Sequence, residues 1–270
     1  MKRLSALCVC LLLISTHPVF ATRVDRKTYQ RRVQEAALKE SLNQFEASPF
    51  SVLAEDGIPS SQQSGIRVRI QSTVSSISRD FTYDPQGPMQ LLLLHTSDYE
   101  KIGPDFSSSG FYQNKTIRMA WPQDQNEPEQ LDYFKRIFRH EFTHLVLAQA
   151  TGNKIPRWLN EGLAVYEEVE GRRGGYGEGK AFYQRMLDEG KQDRLGEHFF
   201  ARNLTTQYTE DGQDYYAQSY LLAKYLLETC GWEKMKNVFY QMKTGTSFSQ
   251  AFSETCLLTV LELAQRTYNS

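Results

Sequence analysis

The chain has 270 residues, 40% of them hydrophobic, and 31 Lys and Arg against 32 Asp and Glu, for a net charge of −1. Removing Lys2 and Arg3 leaves a slightly acidic balance, and the lack of a basic tract argues against a nucleic-acid partner. The length suits one two-lobed domain or two small ones.

The first 21 residues read as a secretory signal peptide. Lys2 and Arg3 form the charged start, and Leu4 to Ile14 is an apolar stretch too short for a comfortable membrane span. Val19-Phe20-Ala21 fits a small-residue cleavage pattern, so the mature chain is expected to begin at Thr22, in the periplasm or outside the cell. Cys8 and Cys10 leave with the leader, and an uncleaved anchor is the alternative. No second apolar stretch approaches membrane-spanning length.

Asp25 to Phe45 reads as a polar helix with a thin apolar seam of Tyr29, Val33, Ala37 and Leu42. The Ser/Gln-rich stretch Ser60 to Gly65 after Pro59 reads as a linker, closing an N-terminal segment of residues 22–65. A strand-containing lobe of residues 66–152 follows. Ile66 to Ile70 alternates, either as a short strand or as the start of a helix running to Phe81. Met89 to His95 is a dense apolar run expected as a buried strand, with His95 a structural or surface residue. Ser107 to Gly110 reads as a loop. Ile117 to Trp121 alternates as a strand ended by Pro122, with Ile117, Met119 and Trp121 on one face and Arg118 and Ala120 on the other.

A buried helix comes next. Phe134, Ile137, Phe138, Phe142, Leu145 and Val146 recur mostly at spacings of three and four, and Gly152 is a plausible stop. This helix carries His140-Glu141-Phe142-Thr143-His144, an H-E-x-x-H run. Residues four apart share a helix face, so His140 and His144 can reach one metal ion. Zinc takes imidazole nitrogens and, at catalytic sites, usually three protein ligands. Glu141 lies one step around the helix, where its carboxylate can meet a water rather than the ion, the place of a general base. The bland alternative is two satisfied interior histidines.

From residue 153 to 270 the chain reads as almost wholly helical. Pro156 suits a helix start, and Leu159, Leu163 and Tyr166 repeat the helical spacing. Glu161 lies seventeen positions beyond His144, and a turn through Gly152, Asn153 and Pro156 can bring it back to complete a His-His-Glu site. Its alternative is a solvated helix glutamate.

H-E-F-T-H followed by W-L-N-E-G-L-A-x-Y resembles the gluzincin metallopeptidases, in particular bacterial families related to the aminopeptidase and thermolysin-like clan. The metzincin pattern fails, because Leu147 and Ala150 stand where it needs a Gly and a third His. The resemblance, which covers about Met89 to Leu263, implies an α+β fold with a small mixed strand/helix N-terminal lobe and a mainly helical C-terminal lobe. It also implies one zinc ion per chain held by His140, His144 and Glu161, Glu141 as catalytic base, and a peptide or protein substrate. The H-E-x-x-H to Glu spacing is slightly shorter than in the best-known gluzincins.

Tyr215-Tyr216-Ala217-Gln218-Ser219-Tyr220 is similar to a run in bacterial gluzincin-like proteins. That likeness makes Tyr216 a candidate donor to the oxyanion; packing at i, i+4 with Tyr220 is the other reading. Gluzincin-like enzymes hold extended peptides on the edge strand before the zinc helix, and Ile117 to Trp121 occupies that place in sequence; an interior strand is the alternative. The Gly-rich stretch Glu170 to Gly179 reads as a surface loop or a mobile lid. Cys230 and Cys256 either pair, as an oxidising compartment favours, or remain buried thiols. Two rival functions stand beside a peptidase: a non-catalytic envelope assembly or binding protein that keeps the fold, and a metal-dependent hydrolase of a non-peptide substrate.

Overall fold

The computed structural model describes residues 26–56, 58, 60–102, 109–121, 126–169 and 210–269. The leader and the Gly-rich stretch 170–179 lie outside the described residues. The elements in chain order are α1 (Arg26–Ser41), β1 (Asn43–Ala47), β2 (Phe50–Ala54), α2 (Ser60–Phe81), β3 (Met89–His95), α3 (Thr96–Ile102), β4 (Gly110–Gln113) and β5 (Thr116–Trp121). The helical part comprises α4 (Glu127–Thr151), α5 (Arg157–Val169), α6 (Glu210–Cys230), α7 (Trp232–Thr244), α8 (Phe248–Cys256) and α9 (Val260–Asn269). The α+β expectation, with strands early and helices late, therefore holds.

The five strands form one mixed sheet in the order β1-β2-β3-β5-β4. β1 and β2 pair antiparallel, as do β4 and β5; β3 runs parallel to both β2 and β5. Asn114 and Lys115, at φ 51° and 62°, make the tight turn from β4 to β5, the backbone sign that suits the twist of a two-residue hairpin.

Alternation decides which face each strand gives to which layer. Met89, Leu91 and Leu93 of β3 and Ile117, Met119 and Trp121 of β5 join the main core with α2 and α4. Leu92, Leu94 and Ala120 face the other way and pack with Tyr99 and Ile102 of α3 and with Leu38 and Leu42. α1 is fixed there by Arg118, whose Nε and Nη2 donate to the two carboxylate oxygens of Glu35 at 2.9 and 2.8 Å.

Two expectations need correction, and one pair of alternatives is decided. Ser60 to Gly65 is not a linker but the first turns of α2. Its small residues are there because α2 lies close to α4: a Cβ on Gly65 would come 3.0 Å from Leu131, and Gln62 donates to Gln130 at 2.9 Å. Of the two alternatives for Ile66 to Ile70, the helix running to Phe81 holds, since its apolar residues Ile66 and Ile70 are a turn apart and both fully buried. The strand Ile117 to Trp121 is interior, hydrogen-bonded to β3 on one side and to β4 on the other, and β4 is the edge.

The helical part shares the main core. A disulfide between Cys230 and Cys256, with Cα atoms 5.5 Å apart, ties the end of α6 to the end of α8. No helix among the described residues is long and apolar enough to cross a membrane.

Candidate metal centre

α4 is bounded by sequence. The Asn126 side chain accepts from the Glu129 N–H at 3.2 Å, Pro128 sits in the first turn, and Gly152 closes the helix at φ 64°. Phe134, Phe138 and Phe142 stack one turn apart, with centroids 5.5 and 5.7 Å apart, and Phe50 of β2 packs edge-on against the last two. This aromatic ladder fixes the rotation of α4, so residues 140, 141 and 144 are presented at another face.

Gly152 and Asn153, both left-handed, turn the chain into α5. α5 is held from behind by an unusually close approach to α6: a Cβ on Gly162 would lie 2.1 Å from the carbonyl oxygen of Ser219. Glu161, the residue before this glycine, thereby faces α4. Its Oε2 lies 3.4 Å from His144 Nε2 and 3.7 Å from His140 Nε2. The three ligand atoms fall within 4.8 Å of one another, the grouping expected from sequence.

Two further rungs join α4 to α5. His140 Nδ1 lies 2.9 Å from Glu168 Oε2, and Arg136 donates to Glu168 Oε1 at 2.7 Å. Beside them, Arg139 binds the side chain and carbonyl of Glu167, an ion pair that is almost fully buried. Sequence reasoning missed Glu168 and Arg136, although the signal was present. Glu168 stands seven residues after Glu161, two helical turns along the same face, and Arg136 one turn before His140. A carboxylate on the far nitrogen of a histidine orients its ring and raises its basicity as a ligand.

The electrostatics match that arrangement. Burial opposes charge on His140, but hydrogen bonds to Glu161 and Glu168, with the field of Glu168 and Glu141, raise its pKa to about 10. Burial likewise opposes charge on Glu161, yet the charge of His144 and hydrogen bonds to both imidazoles hold it well below the usual carboxylate range. Glu168 is depressed too, against its burial, by His140 and Arg136. Glu141 moves the other way, raised mainly by burial. Three buried carboxylates thus surround two imidazoles, and the centre calls for positive charge. Two imidazole nitrogens and one carboxylate oxygen, converging and buried, are a donor set that zinc fits. His144 Nδ1 is buried and has no hydrogen-bond partner among the described residues.

A cavity of about 370 Å³ opens over the centre. Gly110, Phe111 and Tyr112 of the edge strand β4 line one side, with His140, Glu141, His144 and Ala148 of α4. Asn153, Ile155, Arg157, Asn160 and Glu161 line another, and Tyr216 of α6 completes it. Gly110 allows β4 to lie directly on the base candidate, since a Cβ there would approach Glu141 Cγ to 3.0 Å and Oε1 to 3.2 Å. The Tyr216 ring lies 6.4 Å from that of His140, centroid to centroid. Its neighbours Tyr215 and Tyr220 are buried at 4% and 3% exposure and do not line the cavity.

The sequence profile of the peptidase MA superfamily matches residues 125–266, more than half of the chain. No protein of curated function matches. Among solved structures, the fold is similar to yeast LTA4 hydrolase in complex with bestatin, with a TM-score of 0.52 and 15% identity over 79% of this chain. It is also similar to an M1 zinc metallopeptidase from Deinococcus radiodurans (TM-score 0.49, 14% identity, 84% of this chain and 49% of that one). A third likeness is an aminopeptidase N family protein from Idiomarina loihiensis (TM-score 0.49, 12% identity, 79% of this chain and 43% of that one). The chain spans 36% of the length of the yeast protein, so the likeness is one of fold over a part of it.

Proposed function

Because the chain belongs to the peptidase MA superfamily, we propose that it is an exported zinc metallopeptidase of gluzincin type, hydrolysing peptide bonds with Glu141 as general base. The observation that carries this is the convergence of His140 Nε2, His144 Nε2 and Glu161 Oε2 beside Glu141 under an open cleft. A purely structural zinc site would normally be closed by a fourth protein ligand, and no such residue joins this group among the described residues.

Zinc, when bound, supplies Lewis-acid polarisation of the scissile carbonyl and makes a water acidic near neutral pH. The chain's own residues do the rest. His140, His144 and Glu161 hold the ion, and Glu168 with Arg136 keeps the His140 ring in place. Glu141 accepts a proton from the attacking water at its carboxylate and delivers it to the leaving amine nitrogen. Tyr216 donates from its hydroxyl to the developing oxyanion. The outer side of β4, the edge strand among the described residues, pairs with the substrate backbone by strand addition, a mode that reads main chain more than side chains.

Export rests on the charged and apolar pattern of residues 1–21 and is supported by the Cys230–Cys256 bond, which belongs to an oxidising compartment. The mature protein then begins near Thr22. Metal analysis of the purified chain, combined with cleavage of a peptide library with and without chelator, tests the proposal. About one zinc per chain and chelator-sensitive cleavage are expected. Metal-free protein, or cleavage indifferent to chelator, would end the metallopeptidase reading.

A further inference from the structure

We propose that Arg157 makes this cleft a receiver of substrate carboxylates, so that the favoured substrate carries one within about two residues of the cleaved bond. This rests on the peptidase reading and deepens it by naming a substrate class.

Arg157 is the first residue of α5, one turn before Glu161 and on the same helix face. It lines the cavity, and apart from the two imidazoles assigned to the metal it is the one basic side chain among the described lining residues. Among the described residues its ion-pair partner is the ligand candidate itself: Arg157 Nε lies 3.9 Å from Glu161 Oε1, beyond hydrogen-bond range, while Glu161 Oε2 faces the two imidazoles. The Arg157 side chain is 44% exposed, so its fork of donors can take a second partner. An exposed pair at such a distance contributes little to stability, and the side chain needs another explanation.

A guanidinium recognises a carboxylate through two parallel hydrogen bonds. The position fixes the reach. Arg157 lies 3.9 Å from the outer oxygen of a residue whose inner oxygen faces the metal position, and an extended chain advances about 3.5 Å per residue. A carboxylate bound by Arg157 therefore belongs to one of the first residues beyond the scissile bond. The α-carboxylate of a short peptide and an Asp or Glu side chain offer the same chemistry. The competing role is purely local, with Arg157 orienting Glu161 for metal binding.

The test is binding rather than turnover. Zinc-loaded Glu141→Gln protein is titrated by calorimetry with matched peptides: a free-acid peptide against its C-terminal amide, and end-blocked peptides with Asp against Asn at each position. At least one carboxylate member should bind about tenfold or more tightly than its neutral partner. Adding Arg157→Gln should abolish that preference, Arg157→Lys should keep part of it, and zinc content should not change. Preference in the first pair identifies the α-carboxylate, and preference in the second an acidic side chain. Equal binding within every pair, binding of neither member, or a preference that survives Arg157→Gln overturns the proposal. So does loss of zinc with an equal fall in affinity for both members, which assigns Arg157 to orienting Glu161. A carboxylate preference in a protein that cleaves no peptide with Glu141 intact would instead count against the peptidase reading alone.

Discussion

Glu168 is fully committed: one oxygen holds the ring of His140 and the other holds Arg136. Glu168→Gln keeps the shape but loses the charge that orients and polarises the imidazole. Its zinc affinity, measured by competition with a chromophoric chelator, should fall about 10–100-fold. Unchanged affinity would mean that His140 is positioned by packing alone. Tyr216 acts on the transition state. Tyr216→Phe should lower kcat about 10²-fold and leave KM nearly unaltered. An unchanged kcat would return Tyr216 to a packing role, and its buried neighbours could not replace it, since neither lines the cavity.

At the scale of elements, the site depends on how closely α5 approaches α6. Gly162→Ala places a methyl group 2.1 Å from the Ser219 carbonyl oxygen and 2.9 Å from Ala223 Cβ, so one helix must move. We expect a loss of about 3 kcal/mol in urea unfolding, together with weakened zinc binding because Glu161 precedes this residue. A change within about 0.5 kcal/mol would show that the crossing can relax. The same geometry explains what could be read in advance. His140 and His144 on one face, and Glu161 after a short turn, follow from helical spacing and a glycine stop, both local properties. Ser60 to Gly65 misled because small polar residues serve a linker and a tight helix contact equally well, and only Leu131, distant in sequence, distinguishes them. Reading a helix from Asp25 to Phe45 hides β1, although Phe45, Ala47, Phe50, Val52 and Ala54 alternate inward; α1 ends at Ser41. The order of β4 and β5 in the sheet was not legible, since which strand lies at an edge depends on pairing rather than on pattern.

At the scale of the whole molecule, α1 is not a loose appendage but is anchored to the sheet through Glu35 and Arg118. Burial opposes the ionised Glu35, but hydrogen bonds and charge from Arg118 and Lys39 hold its pKa below the ordinary 4.5. A depressed folded pKa contributes stability above 4.5 that is lost as pH falls through the folded value. Glu35→Gln should therefore cost about 2 kcal/mol at pH 7. The gap between parent and variant should shrink as pH drops below 4.5. A gap independent of pH in urea unfolding would mean that the pair contributes through shape rather than charge.

The central claim, that a buried carboxylate beside a His-His-Glu zinc centre moves the proton in peptide hydrolysis, is tested most directly by the peptide cleavage rate of zinc-loaded Glu141→Gln. The amide nearly matches the carboxylate in shape, lies outside the ligand group and cannot accept the proton. The account predicts that zinc stays bound and the rate falls by about 10²–10⁴-fold. Cleavage as fast as that of the parent, with zinc in place, would contradict it.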